Sequence, residues 1–184
     1  MTTYTYSCTS DDCYSPSAGP LVTGSTVLMV AGMNLPSDAN VRTWIPFVIA
    51  IPQGKQILSA TLRWVATDTR TEIYNYWIRC EAADNAVVPA NSAALFAKSV
   101  TTGTNPASAA VTAGVEYSHD VTAAVQAVLN RAGWASGNTL AIVVDDDTAT
   151  GSQRREYAAS ENVSYAEPKL DIVMTFVPKG SGII

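Results

Sequence analysis

Residues 143–151 read VVDDDTATG, and three consecutive carboxylates are the densest reactive feature of the chain. Asp145, Asp146 and Asp147 could take up calcium, hold a catalytic metal or supply an acid/base pair. Calcium needs several oxygen ligands converging on one point, and Glu161 joins the triplet as a candidate ligand. The run lacks EF-hand spacing, and adjacent residues on a strand point to opposite faces. A glycosidase needs two carboxylates facing each other across a cleft. Glu156 and Glu161 with the triplet show no such signature. A nucleophilic triad would have to use His119, the only histidine, next to Asp120. That pair stands directly before a helical pattern, where Asp120 is better explained as an N-cap. No G-x-S-x-G elbow or phosphate loop is present. The triplet therefore reads first as the polar closure of a hairpin, with Gly151 nearby, and second as a structural calcium site. Catalysis comes third. The expectation is a non-enzyme with no cofactor, structural calcium being the one alternative.

Two further sets of residues could carry chemistry. Cys8 and Cys13 flank TSDD in a polar segment and are close enough in sequence for a local disulfide. Cys80 lies within an apolar strand pattern and reads as a small core residue. Zinc is disfavoured, because two nearby cysteines and one distant histidine match no structural zinc spacing. Trp77 shares a strand face with Asn75 and Arg79. A flat ring among polar groups suits sugar binding, but packing against core or a neighbouring subunit is the first reading. Trp44, Trp64 and Trp134 sit in apolar or turn contexts and read as core. Arg154 and Arg155 read as a surface ion pair or a contact between subunits.

These residues must be positioned by strands. VRTWIPFVIAI (41–51) reads as a buried strand, with Pro46 marking an edge or a bulge. ILSATLRWVA alternates, with Leu58, Ala60, Leu62, Trp64 and Ala66 on one face. EIYNYWIRCEA (72–82) places Tyr74, Tyr76, Ile78 and Cys80 together. Further strands are expected over 25–33, GVEYSHD, 138–146, 154–160 and 169–177. The main helix candidate is DVTAAVQAVLNRAGW, with Asp120 as its N-cap and Gly133 as its C-terminal cap. One helical turn is expected over Ala93 to Lys98. About eight short strands with one short helix point to an all-β fold, an antiparallel jelly-roll β-sandwich. Residues 1–20 read as an extended N-terminal arm and 21–184 as one jelly-roll domain.

Composition narrows the function. The chain has 184 residues, 47% hydrophobic and only 15% charged, enough for one domain with a real core. Net charge is −5, which argues against nucleic acid as a partner. No apolar run reaches membrane-spanning length, so no membrane partner is expected. The start, MTTYTYSCTSDDC, shows neither a basic n-region nor an apolar h-region.

PFVIAIPQGKQILSATLRW, HDVTAAVQAVLNRAGWASGNTLAIVV and YAASENVSYAEPKLDI together resemble the segments of DNRLRE-type domains. These are jelly-roll modules similar in shape to carbohydrate-binding modules, found in cell-surface and bacteriophage virion proteins. The resemblance spans about residues 40–177 and leaves out 1–20. It implies a non-catalytic surface module. With no export signal in view, it points to a bacteriophage structural protein, a capsid decoration or tail-surface subunit. Its partners would be other virion proteins and further copies of itself as a homo-oligomer. Its place would be the virion surface, after assembly in the host cytoplasm. The alternative is a carbohydrate-binding module of a cell-surface or secreted, extracellular protein, with glycans as partners.

Overall fold

The computed structural model describes residues 1–17, 19–30, 40–71, 76–106, 110–146 and 155–175. Within them lie eleven strands and two short helices. The strands are β1 (Thr2–Ser7), β2 (Cys13–Pro16), β3 (Val22–Thr23), β4 (Val27–Val30), β5 (Val41–Val48), β6 (Ser59–Val65), β7 (Tyr76–Cys80), β8 (Glu116–Asp120), β9 (Thr139–Asp146), β10 (Arg155–Ala158) and β11 (Lys169–Met174). The helices are α1 (Ser92–Phe96) and α2 (Thr122–Leu129).

One sheet has the order β1-β11-β6-β8, and the other β3-β2-β5-β9-β7, with every pairing antiparallel. The second sheet is extended beyond β7 by residues 100–104. There Ile78 exchanges backbone hydrogen bonds with Thr104 at 2.8 and 2.9 Å, and the Thr101 N–H donates to the Cys80 carbonyl at 2.9 Å. Taken in chain order, β1, β5, β6, β7, the 100–104 segment, β8, β9 and β11 are the strands of a jelly roll. The first, eighth, third and sixth form one sheet; the second, seventh, fourth and fifth form the other. The β2–β3 hairpin and the β4–β10 pair are additions to this frame.

Period-two alternation turns Ala60, Leu62 and Trp64 of β6 and Leu170 and Ile172 of β11 inward. They meet Ile45 and Phe47 of β5, Leu140, Ile142 and Val144 of β9, and Ile78 and Cys80 of β7, all buried in one cluster. Leu58, expected on this face, precedes β6 and is 46% exposed. Helix α2 adds Ala124, Val125, Val128 and Leu129 to the same core. Its N-cap is Val121 rather than Asp120, yet the Asp120 carboxylate still accepts the Thr122 N–H at 2.8 Å. Gly133 is not the left-handed cap; the helix ends at Asn130 in right-handed geometry. A Cβ at Gly133 would instead strike the Asp84 carboxylate, which Arg131 holds at 2.6 Å. Residues 1–20 form more than an arm. β1 pairs with β11 along its whole length and β2 pairs with β5, because TTYTYS and CYSP each find an open sheet edge.

Strand β5 is buried on both faces, which explains its apolar run from Trp44 to Val48. Its outward Trp44 is 1% exposed, beneath a second cluster of Cys13, Ala86, Leu95, Ala141 and Val143. Pro46 lies two residues past the end of the β2 ladder. Its carbonyl on that side accepts from the loop residue Thr9 at 3.1 Å, so no strand hydrogen bond is lost to its missing N–H.

Trp64 and Trp134 are both buried, as expected, but differ in one respect. The Trp134 indole donates to the Ile51 carbonyl at 2.9 Å, whereas Trp64 Nε1 has no partner among the described residues. Trp64 is held instead by stacking on Tyr157, with centroids 4.1 Å apart. Replacing Trp134 by Phe strands a buried carbonyl; replacing Trp64 by Phe removes an unsatisfied donor. Denaturant melts should show Trp134→Phe costing about 1–2 kcal/mol more than Trp64→Phe.

Candidate functional site

Strand register assembles a charged cluster on the outer face of the five-stranded sheet. Asp145 on β9 sits between Arg42 on β5 and Trp77 on β7, each its direct cross-strand neighbour, with Arg79 two residues further along β7. Arg42 Nε donates to Asp145 Oδ1, and Arg79 Nη1 lies 3.6 Å from Oδ2. Arg42 Nη1 also donates to the carbonyls of Leu95, Phe96 and Lys98 at 3.2, 3.0 and 3.2 Å, pinning the end of α1. Below this, Glu81 accepts the Trp44 indole N–H at 2.8 Å and the Lys98 ammonium at 2.8 Å. Both members of the Lys98–Glu81 pair are nearly buried, with side chains 12% and 10% exposed.

Asp145 thus bonds the Arg42 guanidinium through Oδ1 and has Arg79 near Oδ2, which accepts no hydrogen bond among the described residues. Asp146 closes β9 opposite Tyr76. Asp147 lies outside the described residues, as do Asn75, Arg154 and Gly151. Glu161 stands elsewhere, next to Ser160, whose hydroxyl donates to it at 2.8 Å. Among the described residues no group of three or more His, Cys, Asp or Glu side chains is placed to hold a metal ion. Of the residues proposed for calcium, Asp145 and Glu161 belong to no such group, while Asp147 and the Asp146 side chain lie outside the described residues.

His119 and Asp120 are adjacent on β8 and point to opposite faces. His119 turns inward, edge-on to Trp64 and Tyr76, with Nε2 3.2 Å from the Tyr76 hydroxyl. Burial pulls its pKa down to about 4, so the ring is neutral. Asp120 turns outward and takes the Thr122 hydroxyl at 2.5 Å. The geometry does not make a dyad of them. Arg155 is also not a surface residue. β10 alternates Arg155 and Tyr157 inward, and Arg155 is 1% exposed.

All three cysteines are free and buried. Cys8 belongs to the main core and Cys13 to the outer cluster, so the two thiols face different layers. Burial raises the pKa of each, that of Cys13 to about 12, and leaves them protonated. Cys8 Sγ contacts Asp12 Oδ2 at 3.5 Å, and the same oxygen accepts the Ser160 N–H at 2.8 Å. Asp12 is only 2% exposed, and its Oδ1 has no hydrogen-bond partner among the described residues. Neither Asp12 nor Arg42 was singled out by sequence pattern. The available signal for Arg42 was its place as the lone charge in an otherwise apolar strand.

Trp77 and Arg79 line an open groove of about 550 Å³ with Val100, Thr101, Thr102 and Gly103. The Arg79 guanidinium lies over the Trp77 ring, 4.7 Å from its centroid. The platform offered to a ligand is therefore the Arg79–Trp77 stack, flanked by two threonines. Gly103 lets the groove floor approach β7, since a Cβ there would strike the Ile78 carbonyl. A smaller cleft of about 270 Å³ opens near Trp44, lined by Pro46, Val48, Ala86, Val87 and Val88 among others. Val48, Val87 and Val88 are 49%, 67% and 40% exposed around it. No family model and no curated protein matches the chain.

Removing the Asp145 charge leaves two arginines facing each other in a nearly buried site. Asp145→Asn should destabilise the fold by about 3 kcal/mol in urea titrations, while added calcium should leave the wild-type midpoint unmoved. Asp12 makes a pH-dependent contribution. Burial, aided by the Glu161 charge and opposed by the Ser160 N–H, pushes its pKa up to about 6. A carboxyl raised in this way stabilises the fold while protonated, fully below about pH 4, and that contribution is lost as pH rises through about 6. Asp12→Asn keeps an acceptor for Ser160 and cannot ionise. It should gain on wild type by on the order of 2 kcal/mol between about pH 4 and 7, read from urea midpoints across that range.

Proposed function

We propose that the protein is a non-catalytic jelly-roll subunit of a bacteriophage virion surface, a capsid decoration or tail-surface protein of the DNRLRE-like type its sequence resembles. The observation that supports this best is the valine-rimmed cleft at Val48, Val87 and Val88. Exposed apolar side chains clustered on a stiff scaffold suit protein–protein contact better than chemistry. The scaffold beneath is stiff because Trp44, Glu81 and Lys98 are locked together there. The groups best placed for catalysis are engaged otherwise: Asp145 with arginines, Asp120 with Thr122, His119 half-buried and neutral.

A second reading, a carbohydrate-binding module, is favoured by the Trp77–Arg79 groove and its two threonines. An aromatic platform beside hydroxyl and guanidinium donors matches the apolar face and hydroxyl rim of a sugar ring.

The two readings separate on two variants. Val48→Asp with Val87→Asp should fold as wild type, because both positions are exposed, and should be lost from purified particles when quantified by mass spectrometry. Absence of the wild-type chain from purified particles overturns the virion reading. Trp77→Ala should abolish retardation in affinity electrophoresis on polysaccharide gels if the groove is a glycan site. Equal mobility of wild type and variant on every polysaccharide overturns the second reading.

A further inference from the structure

The strand edges of the two sheets are not equivalent. The four-stranded sheet ends in β1 on one side and β8 on the other. β8 exposes Glu116 and Asp120, like charges that oppose pairing with a second copy. In the other sheet, β3 is only two residues long. β1 is six residues, TTYTYS, with no charge and no proline, and it pairs with β11 in unbroken register. The usual devices that blunt an edge are missing, and threonine and tyrosine both favour the pleated state.

The backbone at the end of β1 fixes which groups face outward. The Cys8 N–H donates to Pro168 O at 3.0 Å, on the β11 side, and the Thr9 N–H donates to Pro46 O at 3.1 Å, on the opposite side. Alternation back along the strand turns the peptide groups of Thr2, Tyr4 and Tyr6 toward β11 and those of Thr3, Thr5 and Ser7 away from it. Among the described residues no strand takes that outward set. The side chains tell the same story. Tyr6 packs against the main core, and Tyr4, on the same face, is 43% exposed. The inner face of the sandwich lies open along this edge.

We propose that β1 pairs antiparallel with β1 of a second copy of this chain, joining two four-stranded sheets into one across a two-fold axis. Residues opposite each other in such a pair must share a face, and the outward peptide groups must meet. The register that meets both conditions with the most hydrogen bonds centres on Thr5. Thr5 then opposes Thr5, Thr3 opposes Ser7, and Tyr4 opposes Tyr6 of the second copy. The Tyr4–Tyr6 positions are the close, non-hydrogen-bonded ones, where aromatic pairs pack best. The exposed Tyr4 ring is covered, and no like charges are brought together. This pairing stands apart from the proposed function and holds for either ligand.

The test is the mass of the full chain by size exclusion with light scattering, for wild type, Thr5→Pro and Thr5→Lys, with near-ultraviolet circular dichroism reporting the fold. Wild type should run as a dimer and both variants as folded monomers. Both variants lose the Thr5 hydroxyl that donates to Asp171 at 2.6 Å; beyond that, proline removes an outward N–H and lysine sets two like charges opposite each other. Should either variant misfold, cross-linking decides. Thr5→Cys should form a covalent dimer under mild oxidation, since paired Cα atoms about 5.5 Å apart suit a disulfide, and Glu116→Cys on β8 should not. A monomeric wild type, a dimer that persists in both folded variants, or equal cross-linking at positions 5 and 116 overturns the proposal.

Discussion

Trp44 projects away from the main core and is still 1% exposed. That burial is the constraint on which the rest of the outer layer depends. A jelly-roll sheet ordinarily leaves its second face to solvent, but β5 and β9 are apolar on both faces. A third layer must therefore lie across them, and the long 81–101 connection with α1 supplies it. Polar groups fasten that layer. Glu81 bridges the Trp44 indole and Lys98, and Arg42 ties three carbonyls at the end of α1 to the sheet. Each buried charge is matched, which is what keeps such a layer from costing more in desolvation than it returns.

The same matching decides what the reactive side chains can do. A carboxylate held by two arginines is a structural clamp, and a neutral histidine walled by aromatic rings is a core residue. Asp12 is held otherwise. Its carboxylate accepts the Ser160 N–H and contacts the Cys8 thiol, at the junction of the β1–β2 loop with the turn after β10. It makes that junction sensitive to proton activity.

Three surfaces remain for partners, and they lie on different parts of the roll. The Trp77–Arg79 groove and the valine cleft occupy the outer face of the larger sheet, at its β7 margin and near Pro46. The β1 edge belongs to the smaller sheet. Self-pairing at β1 leaves the Trp77–Arg79 groove uncovered, whereas the valine cleft, lined by Thr9, adjoins the end of the paired strand.

Much of the fold was legible along the chain, because alternation is a local property. The inward faces of β6, β7 and β11 follow from the side-chain period alone, with Trp64 among them. Trp44 reads as core only from its apolar context, and the helical turn expected over Ala93 to Lys98 is found over Ser92–Phe96. The site was legible only as single residues. Trp77 and Arg79 share a face by spacing, but the carboxylate beside Arg79 is Asp145, and that carboxylate is bonded to Arg42, 103 residues away. Register across three strands brings them together, and no local pattern encodes it. The first twenty residues carried the period of a strand in TTYTYS, yet whether that segment hangs free or completes a sheet depends on an open edge at β11, more than 160 positions away. Composition and period determined an all-β sandwich and its inner faces. Pairing between distant strands, driven by the need to satisfy backbone hydrogen bonds and buried charge, decided which residues are clamps and which remain surfaces.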